Sequence, residues 1–235
     1  MVKVEKITKY YNDIAVVNNI SFSLKEGSVI GFLGPNGAGK TTTMRMLSGY
    51  LHPDSGNIEV LNHNIIKERI AAQKHIGYLP EAPGGFNKLT VREFLTFCCQ
   101  TRAFNRKFTR QAIDYVCSKI ELESVLDQSL GLLSKGWKQR AWLAQAIIHD
   151  PPILLLDEPT DGLDPNQKDQ VRKIIKDMSS TKVILITTHI LDEIEELCEQ
   201  VIIISNGSIV ADSKISNLMD DNGRLGDIFR QLTSP

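Results

Sequence analysis

Apolar and polar residues alternate at both ends of the first 25 positions, the period-two pattern of a half-buried strand. Val2, Val4 and Ile7 open one such run, and Ile20, Phe22 and Leu24 interleave with Ser21, Ser23 and Lys25 in another. The pattern then changes. Val29-Ile-Gly-Phe-Leu33 is continuously apolar, as suits a short strand buried on both faces. It leads into glycine-rich chain and a predicted helix over residues 40–49. Pro53-Asp-Ser-Gly56 predicts a turn before a strand at residues 57–60, and Ile76-Gly-Tyr-Leu79 predicts another strand, stopped by Pro80.

From residue 82 to residue 150 the texture is helical. Thr90-Val-Arg-Glu93 has the spacing of a capping box, with Thr90 as N-cap, and residues 112–120 and 139–148 carry helical periodicity. Strand and helix alternate again beyond it. Strands are predicted at residues 153–157 and 182–187, and helices at 167–178 and 191–199. Asn206-Gly207 predicts a hairpin between strands at 201–205 and 209–211, and residues 223–232 predict a terminal helix. Short apolar strands alternating with helices indicate a parallel sheet covered on both faces. The expectation is therefore an α/β fold, one domain over residues 1–235. A helical subdomain (82–150) is inserted in it, and a helical extension (212–235) follows.

Composition narrows the function. Hydrophobic residues at 42% and charged residues at 23% are ordinary for a globular protein and exclude intrinsic disorder. Lys and Arg total 27 against 28 for Asp and Glu, a net charge of −1, so no basic surplus points to nucleic acid. The longest apolar runs, at 153–156 and 201–204, fall far short of the roughly 20 residues that a membrane helix requires. Residues 1–24 mix charge with β-branched residues instead of forming the apolar block of a signal peptide. Cys98, Cys99, Cys117 and Cys198 lack metal-ligand spacing and are expected to be reduced thiols. Together these features predict a soluble cytoplasmic protein.

Gly34-Pro-Asn-Gly-Ala-Gly-Lys-Thr41 fits G-x-x-x-x-G-K-[ST] between a predicted strand and a predicted helix. Glycines let the backbone curl so that successive N–H groups face a phosphate, and the following helix adds its positive end. Gly34, Asn36, Gly37, Ala38, Gly39, Lys40, Thr41 and Thr42 are thus the candidate nucleotide cradle. Lys40 suits the β- and γ-phosphates, and the Thr41 hydroxyl suits Mg²⁺. Ile153-Leu-Leu-Leu-Asp-Glu-Pro-Thr160 is an apolar run ending in two carboxylates. Ligands of parallel sheets lie at the carboxyl ends of strands, so Asp157 is expected to hold Mg²⁺ through water. Glu158 is then placed to polarise an attacking water as general base.

Kinases, GTPases, helicases and transport ATPases share that pair of motifs. Leu133-Ser-Lys-Gly-Trp-Lys-Gln-Arg140 separates them, because it resembles the signature motif of ATP-binding cassette (ABC) proteins, usually L-S-G-G-Q. Ser134 also suits an N-cap for the helix that follows, whose N-terminus offers donors to an anion. The resemblance covers about residues 3–211, with every other expected motif in order. It implies a phosphate-loop NTPase core with an N-terminal antiparallel β subdomain, and ATP and Mg²⁺ as ligands. It also implies that Tyr11 (or its neighbour Tyr10) stacks on adenine, that Glu81 occupies the Q-loop position beside Mg²⁺, and that Asp161-Gly-Leu-Asp164 forms the D-loop. His189 in Thr187-Thr-His189 matches the switch histidine that senses the γ-phosphate.

In that family two cassettes sandwich two ATPs head to tail, so Ser134, Gly136 and Asp164 are expected to complete a partner's site. A separate transmembrane permease is the second expected partner, with this chain peripheral on the inner face of the membrane. The coupling surface is expected near residues 83–96, where Phe86, Phe94 and Phe97 either line a groove or pack the subdomain. Three residues depart from the family pattern. Glu81 replaces a glutamine and adds a carboxylate that either helps hold Mg²⁺ or weakens ATP binding by repulsion. Lys135 stands at a glycine position, where a basic residue could favour phosphate. Trp137 replaces the signature glutamine and cannot make that amide's contacts. These changes resemble ABC-2-type exporter cassettes, including drug-resistance and gliding-motility-associated members. A soluble cassette acting on ribosomes or DNA is the alternative class. A phosphoryl-transferring kinase would leave the signature and His189 unexplained.

Overall fold

The computed structural model describes residues 1–219 and 224–234. Its first two strands, β1 (Val2–Tyr11) and β2 (Ile14–Leu24), form a hairpin whose alternating positions bury Val2, Val4, Ile7, Val17, Ile20, Phe22 and Leu24. β3 (Ser28–Leu33) follows, buried along almost its whole length, and runs into α1 (Lys40–Leu47). β4 (Ser55–Val60) and the two-residue β5 (His63–Asn64) complete an antiparallel sheet in the order β2-β1-β4-β5. The expected N-terminal antiparallel subdomain is present. β5 and the short α2 (Arg69–Gln73) were not legible, because two residues and five residues are too few to establish a period.

β6 (Ile76–Leu79) begins where the sequence predicts it. The inserted segment then supplies α3 (Val91–Thr101), α4 (Arg106–Ile120) and α5 (Lys135–Ile147). The capping box of α3 is formed reciprocally: the Glu93 N–H donates to Thr90 Oγ1 at 3.2 Å, and the Thr90 N–H donates to Glu93 Oε2 at 2.8 Å. β7 (Ile153–Asp157), α6 (Pro165–Ser179), β8 (Val183–Thr188), α7 (Leu191–Leu197), β9 (Gln200–Ser205) and β10 (Ser208–Lys214) restore the alternation. α8 (Gly226–Thr233) is the expected terminal helix among the described residues; its predicted start at Gly223 lies outside them.

The second sheet has the order β10-β9-β3-β8-β7-β6 and is parallel from β9 to β6, with β10 antiparallel at the edge. This order positions the site. β3 lies beside β8, and β8 lies beside β7, in registers that pair Leu33 with Thr188 and Asp157 with Thr187. The phosphate loop, the acidic strand end and the Thr187-Thr-His189 turn therefore leave the sheet at the same edge. One face of this sheet shares a continuous core with α3, α4 and α5, in which Leu154, Leu156 and Ile184 join Phe94, Val116 and Leu143. The opposite face joins Ile30, Phe32 and Leu155 to the antiparallel sheet and α1.

His149, just past α5, has a measurable consequence. Its Nε2 lies 3.1 Å from the Ile76 carbonyl, its Nδ1 is buried without a partner, and burial lowers its pKa to about 4. The unfolded imidazole titrates near 6.5, so acid below that value protonates the unfolded chain first. Stability should fall as pH drops from 6.5 towards 4, by about 3 kcal/mol over the full window. His149→Gln keeps a donor towards Ile76 and has no group that titrates in this window. Urea midpoints at pH 7.5 and pH 5 should therefore separate more for the wild type than for the variant, and equal separations would remove His149 as the cause.

Candidate functional site

α1 begins without a side-chain cap and with no acidic residue in its first turn. Its leading N–H groups are thus left for an anion, as helix geometry permits. Gly39 precedes it at a left-handed φ of 106°, and a Cβ there would stand 2.7 Å from the Val16 carbonyl oxygen. Only glycine meets both demands. The loop encloses a cleft of about 240 Å³ lined by Val16, Asn36, Gly37, Gly39, Lys40, Thr41, Thr42, Glu81 and Glu158. Ala38 instead turns its methyl into the core. Lys40 Nζ donates to the carbonyls of Gly34 at 2.7 Å and Pro35 at 3.2 Å, folded back over its own loop. Burial lowers its pKa, opposed by the charges of Glu158, Asp157 and Glu81. An arriving polyphosphate would replace those carbonyls with a full negative charge.

Three oxygen-bearing side chains converge beside the cleft. Thr41 Oγ1 lies 3.2 Å from Glu81 Oε2 and 3.3 Å from Asp157 Oδ1. Asp157 is fully buried at the end of β7, its Oδ1 accepts the Thr187 hydroxyl, and its Oδ2 has no partner. Burial raises its pKa, against the hydrogen bonds from Thr187 and Thr41. A hydroxyl and two carboxylates, one with an orphaned buried oxygen, form the hard oxygen set that Mg²⁺ prefers.

Glu158 follows in a left-handed conformation, φ 50°, which is sparsely populated for a non-glycine residue. Its N–H donates to the Thr187 carbonyl at 3.1 Å and the Thr187 hydroxyl at 3.0 Å, so the end of β8 holds that turn. Both carboxylate oxygens lie 3.1 Å from His189 Nδ1. Burial raises the Glu158 pKa, and the His189 contact opposes the rise. A carboxylate of raised basicity, fixed by a histidine at the edge of a phosphate-sized cleft, is suited to take a proton from water.

Four expected site residues stand apart from this cleft. Ser134 is exposed and caps α5, its Oγ 3.5 Å from the Trp137 N–H. Gly136 is packed against Gln167, and Asp164 caps α6 by accepting the Gln167 N–H at 3.0 Å. Tyr11 is exposed at the tip of the first hairpin, and Tyr10 is exposed beside it. Val16 supplies an apolar wall of the cleft that the sequence did not single out.

The ABC transporter family model matches residues 17–161. The chain belongs to the ABC transporter family. Its sequence is 37% identical over 224 residues to the bacitracin transport ATP-binding protein BcrA of Bacillus licheniformis, covering 94% of this chain and 72% of that one. It is 38% identical over 207 residues to the Nod factor export ATP-binding protein I of Burkholderia orbicola (strain AU 1054), covering 88% and 68%. Its fold matches the dimeric structure of MJ0796, a bacterial ABC transporter cassette. The TM-score is 0.84 at 24% identity, over 91% of this chain and 98% of that one. This protein is accordingly an ATP-binding, ATP-hydrolysing subunit of an ABC transporter. Among the described residues no helix is long and apolar enough to cross a membrane.

Two positioning groups of the cassette escaped the sequence reading. Thr187 holds both Asp157 and Glu158; its signal was a hydroxyl ending an otherwise apolar buried strand. Glu193, 2% exposed, accepts the hydroxyls of Thr160 and Thr188 and faces Lys168 at 3.4 Å. Its signal was a carboxylate on the same side of α7 as Leu197, where an apolar residue fits the pattern.

Proposed function

We propose that this cassette works as a head-to-tail homodimer that closes on two ATP molecules, hydrolyses them and drives export through a separate membrane permease. The observation that carries the reading is the placement of the signature. Ser134 and the uncapped-by-acid start of α5 form a second anion-seeking helix end, outside the cleft of their own chain. A chain with one phosphate loop and a detached second site uses the latter on another molecule's nucleotide. Export is supported by the Nod factor export relative.

In this reading the loop from Gly34 to Thr42 and Lys40 hold the phosphates, while Ser134, Gly136 and Asp164 close over the partner's ATP. Tyr11 carries the adenine from the hairpin tip. Thr41, Asp157 and Glu81 hold Mg²⁺, which when bound offsets charge on the β- and γ-phosphates. Glu158 takes the proton of the attacking water, and His189 keeps the carboxylate oriented and answers the γ-phosphate. The permease docks in a groove of about 630 Å³ between the sheet edge and the inserted helices, whose walls include Phe86, Phe97 and Trp142. Phe86 and Phe97 are 42% and 43% exposed, and the buried Phe94 also lines the groove while packing the core, so the aromatic cluster serves both. Such a groove fits the apolar face of a helix.

The test of assembly is stoichiometric. A hydrolysis-deficient Glu158→Gln chain, given ATP and Mg²⁺, should run at twice its monomer mass with two nucleotides per dimer. A monomer retaining one nucleotide would overturn the head-to-tail arrangement. Glu81 permits a separate check. Glu81→Gln removes one carboxylate from the Thr41–Asp157 cluster, so half-saturation of hydrolysis by Mg²⁺ should move to higher concentration. An unchanged Mg²⁺ titration would take Glu81 out of the metal's shell.

A further inference from the structure

Lys135 occupies the place where the family signature has glycine, and a cation there is poorly placed. It is the first residue of α5, at the positive end of the helix dipole, and that first turn contains no acidic residue. The missing countercharge comes from elsewhere in the chain. Lys135 Nζ lies 3.0 Å from Asp161 Oδ2, in the turn that follows Glu158. The next residue, Gly162, has a left-handed φ of 62°, and a Cβ there would collide with the lysine ammonium. The turn is thus shaped to let the lysine lie across it.

Further contacts join the start of α5 to this turn and to α6, which follows it. The Gln139 side chain donates to the Pro159 carbonyl at 3.0 Å, and a Cβ on Gly136 would stand 2.5 Å from the Gln167 side chain. The Asp161 N–H in turn donates to the Glu158 carbonyl at 3.2 Å. The start of α5 therefore rides on the segment that leads out of Glu158. The Lys135 and Asp161 side chains are 58% and 49% exposed, so their pair can break and re-form without opening the core.

We infer that the Lys135–Asp161 ion pair couples the signature to the turn after Glu158 within one chain, with Lys135 as a positioning residue for hydrolysis. The inference rests on the roles proposed above for Ser134 and Glu158. If Ser134 serves the partner's ATP and Glu158 its own, the pair links the two sites of the dimer. A signature with glycine at this position has no side chain with which to make the link. The pair touches neither the phosphate loop nor the Thr41–Asp157 cluster, and Lys135 Nζ is turned to Asp161, so its loss leaves the cleft that first binds nucleotide intact and acts on turnover.

The test is a charge-swap cycle read by steady-state hydrolysis of MgATP. Lys135→Ala and Asp161→Asn should each lower kcat by about three- to tenfold with KM changed less than twofold. The double variant should be no slower than either single one. Lys135→Arg should recover most of the wild-type rate, and the swapped pair Lys135→Asp/Asp161→Lys should be faster than either of its single swaps, which a purely structural lesion would not give. Melting curves should coincide for all variants, because the pair lies at the surface. Additive losses, a loss carried by KM, or a wild-type rate for Asp161→Asn would each overturn the inference. Failure of the underlying reading gives a different result: Glu158→Gln would hydrolyse ATP at the wild-type rate.

Discussion

Glu158→Gln should lower ATP hydrolysis by about 10²–10⁴-fold, the usual contribution of a positioned general base, while ATP still binds. The amide keeps the size of the carboxylate and one acceptor oxygen, so the contact with His189 Nδ1 can persist through one oxygen in place of two. What disappears is basicity, which burial had raised in the wild-type group. The backbone should hold its shape, because Thr187 anchors the Glu158 N–H through both its carbonyl and its hydroxyl. Filter binding with radiolabelled ATP and a phosphate-release assay on the same preparation separate the two effects. Near-normal phosphate release by the variant would remove Glu158 from the chemistry.

Much of this site was legible because its parts are contiguous in sequence. Residues 34–42 run as one loop and the first turn of α1, and a buried strand that ends at Asp157, with Glu158 next, declares both carboxylates by interrupting its own apolar run. The strand order that brings them together was not written locally. Pairings such as Asp157 with Thr187 depend on crossovers through whole helices, and no local period encodes them. The same limit hid Thr187 and Glu193, whose work is to hold other residues. Their types are common, and only packing shows that a Thr160 hydroxyl ends on a buried glutamate. Lys135 was visible as a departure from the family signature, but its partner Asp161 lies 26 positions away. Sequence exposed the odd residue, and the fold supplied its reason. The aromatic cluster shows a third case, since Phe86 precedes α3 in a loop and no local period sets its exposed ring against the buried Phe94.

Mixing two inactive variants should restore hydrolysis if each site is built from two chains. Lys40→Ala removes the lysine of the phosphate loop, so that chain's own cleft fails while its signature remains whole. Ser134→Arg fills the start of α5 with bulk and charge, while that chain's cleft, which Ser134 does not line, stays intact. Each variant alone then forms dimers with no complete site. In the mixed dimer, the cleft of the Ser134→Arg chain meets the signature of the Lys40→Ala chain, and one complete site appears. At equal mixing half of the dimers are mixed and each carries one good site of two. The recovered rate should therefore be about a quarter of wild type when the sites act independently, and coupling between them lowers it. Ser134 is exposed and its capping contact with the Trp137 N–H is long, so the arginine variant should fold and melt only slightly lower, by the roughly 1 kcal/mol of a lost cap. A high rate from Ser134→Arg by itself would decide against the arrangement. The signature would then be dispensable for hydrolysis, and the detached helix end at Ser134 would need a different ligand.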